Sequence, residues 1–235
     1  AAAIVESVGP GHAELHCALL PLAVLLENVA GLYAVLMAGG TYCVPAASAL
    51  GLANPFQPDF ARLAAALGEM RATSIITVPE LLRGLMGVLS MMRQPLPSLS
   101  FVAVGGARVS PRLLAQAASL GLPVHEGYGL SEAGSVVSLN RPGAARPGTA
   151  GGLLPHVRAR IAGDGELLIE HPLFLGYTDG APGPDLFATG DIVSRDETGF
   201  LTVEGRKSSL IITAYGRNIA PEWIESELLA QPVIA

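Results

Sequence analysis

Lysine is nearly absent from this chain: of 14 basic side chains among 235 residues, Lys207 is the only lysine. With 20 acidic side chains, a net charge of −6 and no cluster of Lys or Arg, the sequence offers no stripe that could track the phosphates of a nucleic acid. Cysteine is almost as scarce. Cys17 and Cys43 form neither a disulfide framework nor a zinc-ligand spacing, so a reducing, cytoplasmic compartment is the expectation. Charge as a whole is sparse, at 14% of residues against 50% hydrophobic, which excludes a disordered chain. A long unbroken apolar run is lacking too. The most apolar stretch, Cys17 to Gly40, is interrupted by Pro21 and by Glu27-Asn28. It therefore predicts no membrane span, but a buried strand over His16 to Leu22 and a core helix over Val24 to Ala38. Ala1-Ala2-Ala3 has neither a basic start nor a long apolar continuation, so no secretory leader is expected.

What is present alternates. Strands are predicted over Ala18 to Leu22, Thr41 to Val44, Ser74 to Val78, Phe101 to Val104 and Val124 to Glu126. Helices fall between them. Asp59 caps Phe60 to Met70, Pro79 fits the first turn of Glu80 to Met92, and Ser110-Pro111 opens Arg112 to Leu120, closed by Gly121. Repeated strand–helix order predicts an α/β fold with a parallel sheet covered by helices, and ligands beyond the carboxyl ends of its strands. From about Arg141 the texture changes to Gly/Pro-rich connectors and short strands: Val157 to Ile161, Glu166 to Glu170, Asp191 to Val193 and Gly199 to Val203. Gly163-Asp164-Gly165 marks a tight turn. A small antiparallel, barrel-like β subdomain follows from this, and then the start of a further domain. The expected division is 1–140, 141–204 and 205–235.

Three polar motifs stand out. In Gly127-Tyr128-Gly129-Leu130-Ser131-Glu132 the glycines allow a sharp turn and close approach to a ligand. Tyr128 offers a flat face to a base, Ser131 a hydroxyl to a phosphate, and Glu132 a hard carboxylate to Mg²⁺. Taken alone, Ser131-Glu132 reads equally as the cap of a short helix, and Tyr128 as a packed core aromatic. In Thr189-Gly190-Asp191 a carboxylate can accept two hydroxyl donors at once, although such a tripeptide is also a common turn. In Gly205-Arg206-Lys207-Ser208 the planar fork of Arg206 suits oxyanions. Gly105-Gly106-Ala107, ahead of Ser110-Pro111, reads by itself as an ordinary strand–helix turn. No Ser/His/Asp triad is evident, and His12 and His16 read as surface or satisfied core histidines.

In their order and separations these segments resemble the nucleotide-binding core of the adenylate-forming superfamily. The run Val136-Val137-Ser138-Leu139-Asn140 is similar to the pattern in long-chain fatty acyl-CoA synthetases. The resemblance implies ATP, Mg²⁺ and a carboxylic acid condensing to an acyl-adenylate with loss of pyrophosphate, then thioester formation with CoA. It implies catalytic roles for Ser131, Glu132 and Arg206, with Mg²⁺ at Glu132. It further implies nucleotide contacts from Gly105, Gly106, Ala107, Gly127, Tyr128 and Gly129, ribose binding by Asp191, and ribose and phosphate contacts from Arg206. Ser208 matches a hinge where relatives often have Asp or Lys, and Tyr215 to Glu222 continues that motif. Leu20-Pro21-Leu22 resembles the motif before the acyl tunnel. Val24, Leu25 and Leu26 stand where relatives carry a His or aromatic gate, which points to an apolar, fatty acid substrate. Transfer of the acyl group to a carrier protein, or a non-catalytic nucleotide- or acyl-binding module, are the alternatives. The family's phosphate loop and carboxyl-terminal lysine are not matched, and Lys207 does not stand in that lysine's place. An internal fragment with little or no activity of its own is therefore expected.

Overall fold

The computed structural model describes residues 1–178, 180, 182–209, 211–212, 218–229 and 231, with backbone alone at 211–212, 218–219 and 223. The chain forms two compact units: residues 1–107 with 113–125, and residues 108–112 with 126–235. The expected Tyr215, Gly216 and Arg217 continuation lies outside the described residues. Among the described residues no helix is long and apolar enough to cross a membrane.

The first unit opens with α1 (Ala2–Val8) and is built on parallel strands. β1 (Leu15–Cys17) lies between β2 (Thr41–Cys43) and β3 (Ser74–Thr77), and β3 pairs with β4 (Phe101–Val104). Helices occupy the connections as the sequence predicts: a short α2 (Ala34–Met37), then α3 (Phe60–Met70) and α4 (Pro79–Met92). Asp59 Oδ1 accepts from Arg62 N at 2.9 Å, the N-cap bond anticipated for α3. α5 (Pro111–Ser119) belongs here from Leu113 onward, and Gly121 with φ 74° terminates it. The core is aliphatic: Leu63, Leu67, Ile75, Leu82 and Val102 are fully buried.

Two expectations need correcting in this unit. The strand predicted over Ala18 to Leu22 lies earlier, at Leu15–Cys17. Pro21 has no N–H for a ladder, and the Leu20 N–H is taken by Glu27 Oε2 at 3.3 Å, so the chain turns out of the sheet after Ala18. The helix predicted over Val24 to Ala38 forms, but with wide π-type turns at Glu27–Tyr33. The cause is a buried polar network. His16 bonds Ser74 Oγ through Nδ1 at 2.9 Å and Glu27 Oε1 through Nε2 at 3.0 Å. The Tyr42 hydroxyl donates to the same Glu27 oxygen at 2.9 Å, and its ring stacks on His16 at 5.5 Å. A Cβ on Gly31 would stand 2.4 Å from Glu27 Oε1, so the helix admits the carboxylate only over a glycine. Ser74, His16 and Glu27 form a Ser–His–carboxylate chain that no sequence spacing reveals. At 4%, 2% and 0% exposure it is closed to substrate and acts as a structural strut.

The second unit is an antiparallel sheet in the order β5-β6-β7-β11-β10-β9-β8. Its strands are β5 (Val124–Leu130, in this unit from Glu126), β6 (Ser135–Leu139), β7 (Gly151–Leu153), β8 (Arg158–Ile161), β9 (Glu166–Glu170), β10 (Leu186–Arg195) and β11 (Phe200–Arg206). The β8–β9 hairpin turns at Gly163-Asp164-Gly165 as predicted, with Gly165 at φ 88°. The strand expected over Val124 to Glu126 continues to Leu130, and β6 and β7 are further strands that the texture of the sequence did not suggest. A pair of short strands, β12 (Ile211–Ile212) and β13 (Asn218–Ile219), and the helix α6 (Pro221–Leu229) follow. The core of this sheet comprises Ala133, Val137, Leu167, Ile169, Val193 and Leu201.

Candidate functional site

Gly127, Tyr128 and Gly129 lie within β5, in register with Leu139, Ser138 and Val136 of β6. The sharp turn expected of these glycines is absent, and neither has a positive φ. They are needed for close approach instead: a Cβ on Gly129 would stand 1.7 Å from Ser135 O, and one on Gly127 3.2 Å from Ser138 O. Between them Tyr128 packs partly on the apolar core. Its polar end reaches out of that core, and the hydroxyl donates to Asp191 Oδ2 at 2.6 Å. Burial, reinforced by the hydrogen bond to Asp191, pushes the phenol well above its ordinary pKa.

Asp191 reaches Tyr128 because β10 is irregular. Ala188 pairs with Leu168 and Ile192 with Glu166, so four residues of β10 span what two of β9 span, and Thr189-Gly190-Asp191 bulges out. The carboxylate is only 10% exposed, and Arg206 Nη1 stands 3.2 Å from its Oδ1. Arg206 also donates to Thr189 O at 2.7 Å. One carboxylate thus has a phenol on one oxygen and a guanidinium on the other, with further lone pairs for incoming hydroxyls.

Ser131 and Glu132 begin a single 3₁₀ turn, Ser131–Ala133, closed by Gly134 at φ 72°. Glu132 Oε1 accepts from the Tyr177 hydroxyl at 2.6 Å. Tyr177 leans edge-on against Phe174 at 5.3 Å, and Phe174 against Phe187 at 5.5 Å. Ser131 is exposed. Just beyond, Ser135 holds φ 96°, and its buried hydroxyl has no partner among the described residues, a local cost of the tight Gly129 crossing. Among the described residues no group of three or more His, Cys, Asp or Glu side chains forms a metal cage. Mg²⁺ is commonly held by one or two carboxylates together with substrate phosphates, and the lone carboxylate of Glu132 fits that arrangement.

The structure thus brings Tyr128, Asp191 and Arg206 into direct contact and sets Glu132 on the same motif as Tyr128. Gly105, Gly106 and Ala107 belong to the first unit, where they follow β4, with Gly105 N on Thr77 O at 3.3 Å and Gly106 at φ 84°. Leu20-Pro21-Leu22 is also in the first unit, with Leu22 and Val24 about 40% exposed. Ser208 is exposed.

Several participants were missed from the sequence. Tyr177 follows an apolar run and gave no signal. Glu126, one residue before the motif, accepts from Gly148 N at 2.9 Å through Oε2, and burial pushes its carboxyl up to about 7 against the opposing pull of that bond and of Arg108. Glu166 and Lys207 lie behind Asp191. The lone lysine of the chain was the available signal for the latter.

Residues 2–178 match the model of the AMP-binding enzyme family. The long-chain-fatty-acid–CoA ligase FadD15 of Mycobacterium bovis is 41% identical over 138 residues, which is 56% of this chain and 23% of that protein. Among solved structures, the anthranilate CoA ligase AuaEII in complex with anthranoyl-AMP superposes with a TM-score of 0.83 at 19% identity, covering 97% of this chain and 46% of that one. The O-succinylbenzoate coenzyme A synthetase of Bacillus subtilis, in complex with ATP and magnesium ion, gives 0.81 at 23%, covering 100% and 50%. These two likenesses establish the fold. The chain spans about a quarter of the curated ligase and about half of each solved chain.

Proposed function

This chain belongs to the AMP-binding enzyme family, and on that premise we propose that it is the nucleotide- and acyl-binding part of an AMP-forming acid–thiol ligase. The observation that carries the reading is the Tyr128–Asp191–Arg206 cluster, a largely buried carboxylate beside a phenol and a guanidinium. In this reading Asp191 accepts the ribose hydroxyls through its remaining lone pairs. Tyr128 fixes the carboxylate's rotamer and offers its ring face to the base. Arg206 balances the charge of Asp191 and offers its other N–H groups to ribose and phosphate oxygens. Ser131 and Glu132 face the phosphates, and backbone contacts to the nucleotide from Gly105, Gly106 and Ala107 belong to the same proposal. Glu132 would hold Mg²⁺, which when bound neutralises charge on the phosphates. The parent reaction is attack of a substrate carboxylate on the α-phosphorus of ATP, giving acyl-AMP and pyrophosphate, followed by attack of the CoA thiol on the acyl carbonyl, which forms the thioester and releases AMP.

For the acid, a medium- or long-chain fatty acid is favoured by the 41% identity to a long-chain ligase and by the uncharged stretch Leu19 to Leu26. The functional division into 1–140, whose last strands β5 and β6 pair into the antiparallel sheet, 141–204 as the small β part, and 205–235 as the hinge and start of a small carboxyl-terminal domain belongs to the same proposal, as does a cytoplasmic site of action. The deciding experiment is ATP–pyrophosphate exchange by the full natural chain with aliphatic and aryl acids side by side. Exchange rising with alkyl length supports the reading, at ~0.8 kcal/mol of binding per buried methylene. Exchange supported by aryl acids alone overturns the acyl assignment, and exchange with no acid overturns the activity. The 235-residue chain by itself should exchange at background, since Lys207, its one lysine, is held by Asp164 and Glu166.

A further inference from the structure

The bulge that delivers Asp191 should be unstable by itself. Two extra residues in β10 pull Gly190 out of the ladder and free its N–H and C=O, and unpaired backbone groups in a sheltered position cost free energy. Both groups are nevertheless paired. Gly190 N donates to Glu166 Oε1 at 2.9 Å, and Lys207 N donates to Gly190 O at 2.8 Å. The two supports are then joined to each other, because Lys207 Nζ donates to Glu166 Oε2 at 2.8 Å. The result is a closed ring: Glu166, Gly190, Lys207 and back to Glu166. Asp164, on the β8–β9 turn, anchors the ammonium from outside at 2.6 Å. Thr189 closes the bulge on its other flank, its hydroxyl donating to Leu167 O at 2.9 Å and accepting from Asp191 N at 3.1 Å.

We propose that Glu166 and Lys207 are positioning residues for the nucleotide site: the ring they close around Gly190 fixes the bulge and thereby the direction of the Asp191 carboxylate. This rests on the reading of Asp191 as the ribose-binding group. Neither side chain touches the nucleotide. Their charges face each other and Asp164, so the ring is internally neutralised apart from one negative charge, and Lys207 is a strut rather than a phosphate ligand. The same ring ties Lys207, just after β11 and immediately before Ser208, to the β8–β9 hairpin.

The test compares binding of AMP and of 2′,3′-dideoxy-AMP by the full natural chain, with Lys207→Met, Lys207→Arg and Glu166→Gln variants. Hydrogen exchange at the Gly190 and Asp191 amides serves as a readout independent of ligand. Lys207→Met is expected to weaken AMP about tenfold, in line with loss of a charge-assisted hydrogen bond, and to leave dideoxy-AMP unchanged. Gly190 should exchange faster in the same variant. Lys207→Arg, which keeps the charge, should recover most of the loss. Glu166→Gln should give an intermediate effect, because its amide oxygen still accepts from Gly190. A merely structural role would weaken both nucleotides alike, and that result overturns the proposal. So does wild-type binding and wild-type Gly190 exchange in the Met variant. If the unmodified chain binds AMP and dideoxy-AMP equally, the ribose reading itself falls and this inference with it, a result distinguishable from the other two.

Discussion

The hydroxyl of Tyr128 meets Oδ2 of Asp191 at 2.6 Å, although the two residues stand 63 positions apart in the chain. Arg206 faces the other oxygen of the same carboxylate at 3.2 Å. These contacts join strands β5, β10 and β11 at one point, so single substitutions there have separable effects. Asp191→Asn keeps an oxygen for Tyr128 but abolishes the ion pair and one charge-assisted acceptor. AMP affinity should fall ~10- to 100-fold, corresponding to about 1.5–3 kcal/mol. Tyr128→Phe removes only the orienting donor and should cost about a factor of five. Calorimetric titration with AMP measures both, and an Asn variant that binds like the unmodified protein would refute the ribose role.

Glu132 and Tyr177 form the second testable pair. In the full natural chain, Glu132→Gln should slow pyrophosphate release about 100-fold, the loss typical of one pre-organised electrostatic contact, and should raise the Mg²⁺ concentration needed for half-maximal rate. Fatty-acid binding should stay the same. Tyr177→Phe frees the carboxylate and should shift the Mg²⁺ requirement without altering the pyrophosphate rate at saturating ion. If Glu132→Gln weakened acid and nucleotide binding equally, the metal role would be lost.

The carboxyl of Glu126 predicts a pH effect with a definite sign. Burial raises it from about 4.5 to about 7, so between those values the folded state holds a proton that the unfolded state has released. Its contribution to stability is full below pH 4.5 and is lost as pH rises through 7, a change of about 3 kcal/mol. His125 acts in the opposite sense. Burial chiefly, aided by His12, lowers it to about 4, so its contribution grows as pH rises from 4 to 6.5. Urea melts at several pH values should therefore show Glu126→Gln gaining relative stability as pH rises from 5 to 7. Parallel profiles for the two proteins would contradict the burial argument.

In the first unit, Glu27→Ala removes the acceptor of His16 Nε2, the Tyr42 hydroxyl and the Leu20 N–H together. Stranding those donors should cost roughly 3–5 kcal/mol, against about 1 kcal/mol for Tyr42→Phe. Gly31→Ala should also destabilise by more than about 2 kcal/mol, because its Cβ would meet Glu27 Oε1 at 2.4 Å. Denaturant unfolding ranks the three. A small loss in Glu27→Ala would mean that water enters and replaces the carboxylate.

The sequence by itself determined what is local. Asp59, Pro79, Ser110-Pro111 and Gly121 set helix ends through backbone bonds a few residues long, and the alternation of apolar segments committed the first half to parallel strands. It also singled out Tyr128, Glu132, Asp191 and Arg206, because their order carries a family likeness; the structure brings Tyr128, Asp191 and Arg206 into contact and pairs Glu132 with Tyr177. The sequence did not give their geometry. Whether Gly127 and Gly129 turn or merely allow close approach depends on β6 lying against them, which no property of the hexapeptide encodes. The bulge at Thr189-Gly190-Asp191 frees backbone groups that Glu166 on β9 and Lys207, just after β11, take up. The wide helical turns at Glu27–Tyr33 likewise depend on His16, Tyr42 and Ser74, drawn from three strands. Buried polar groups must find partners, and partners distant in sequence are supplied by tertiary structure alone.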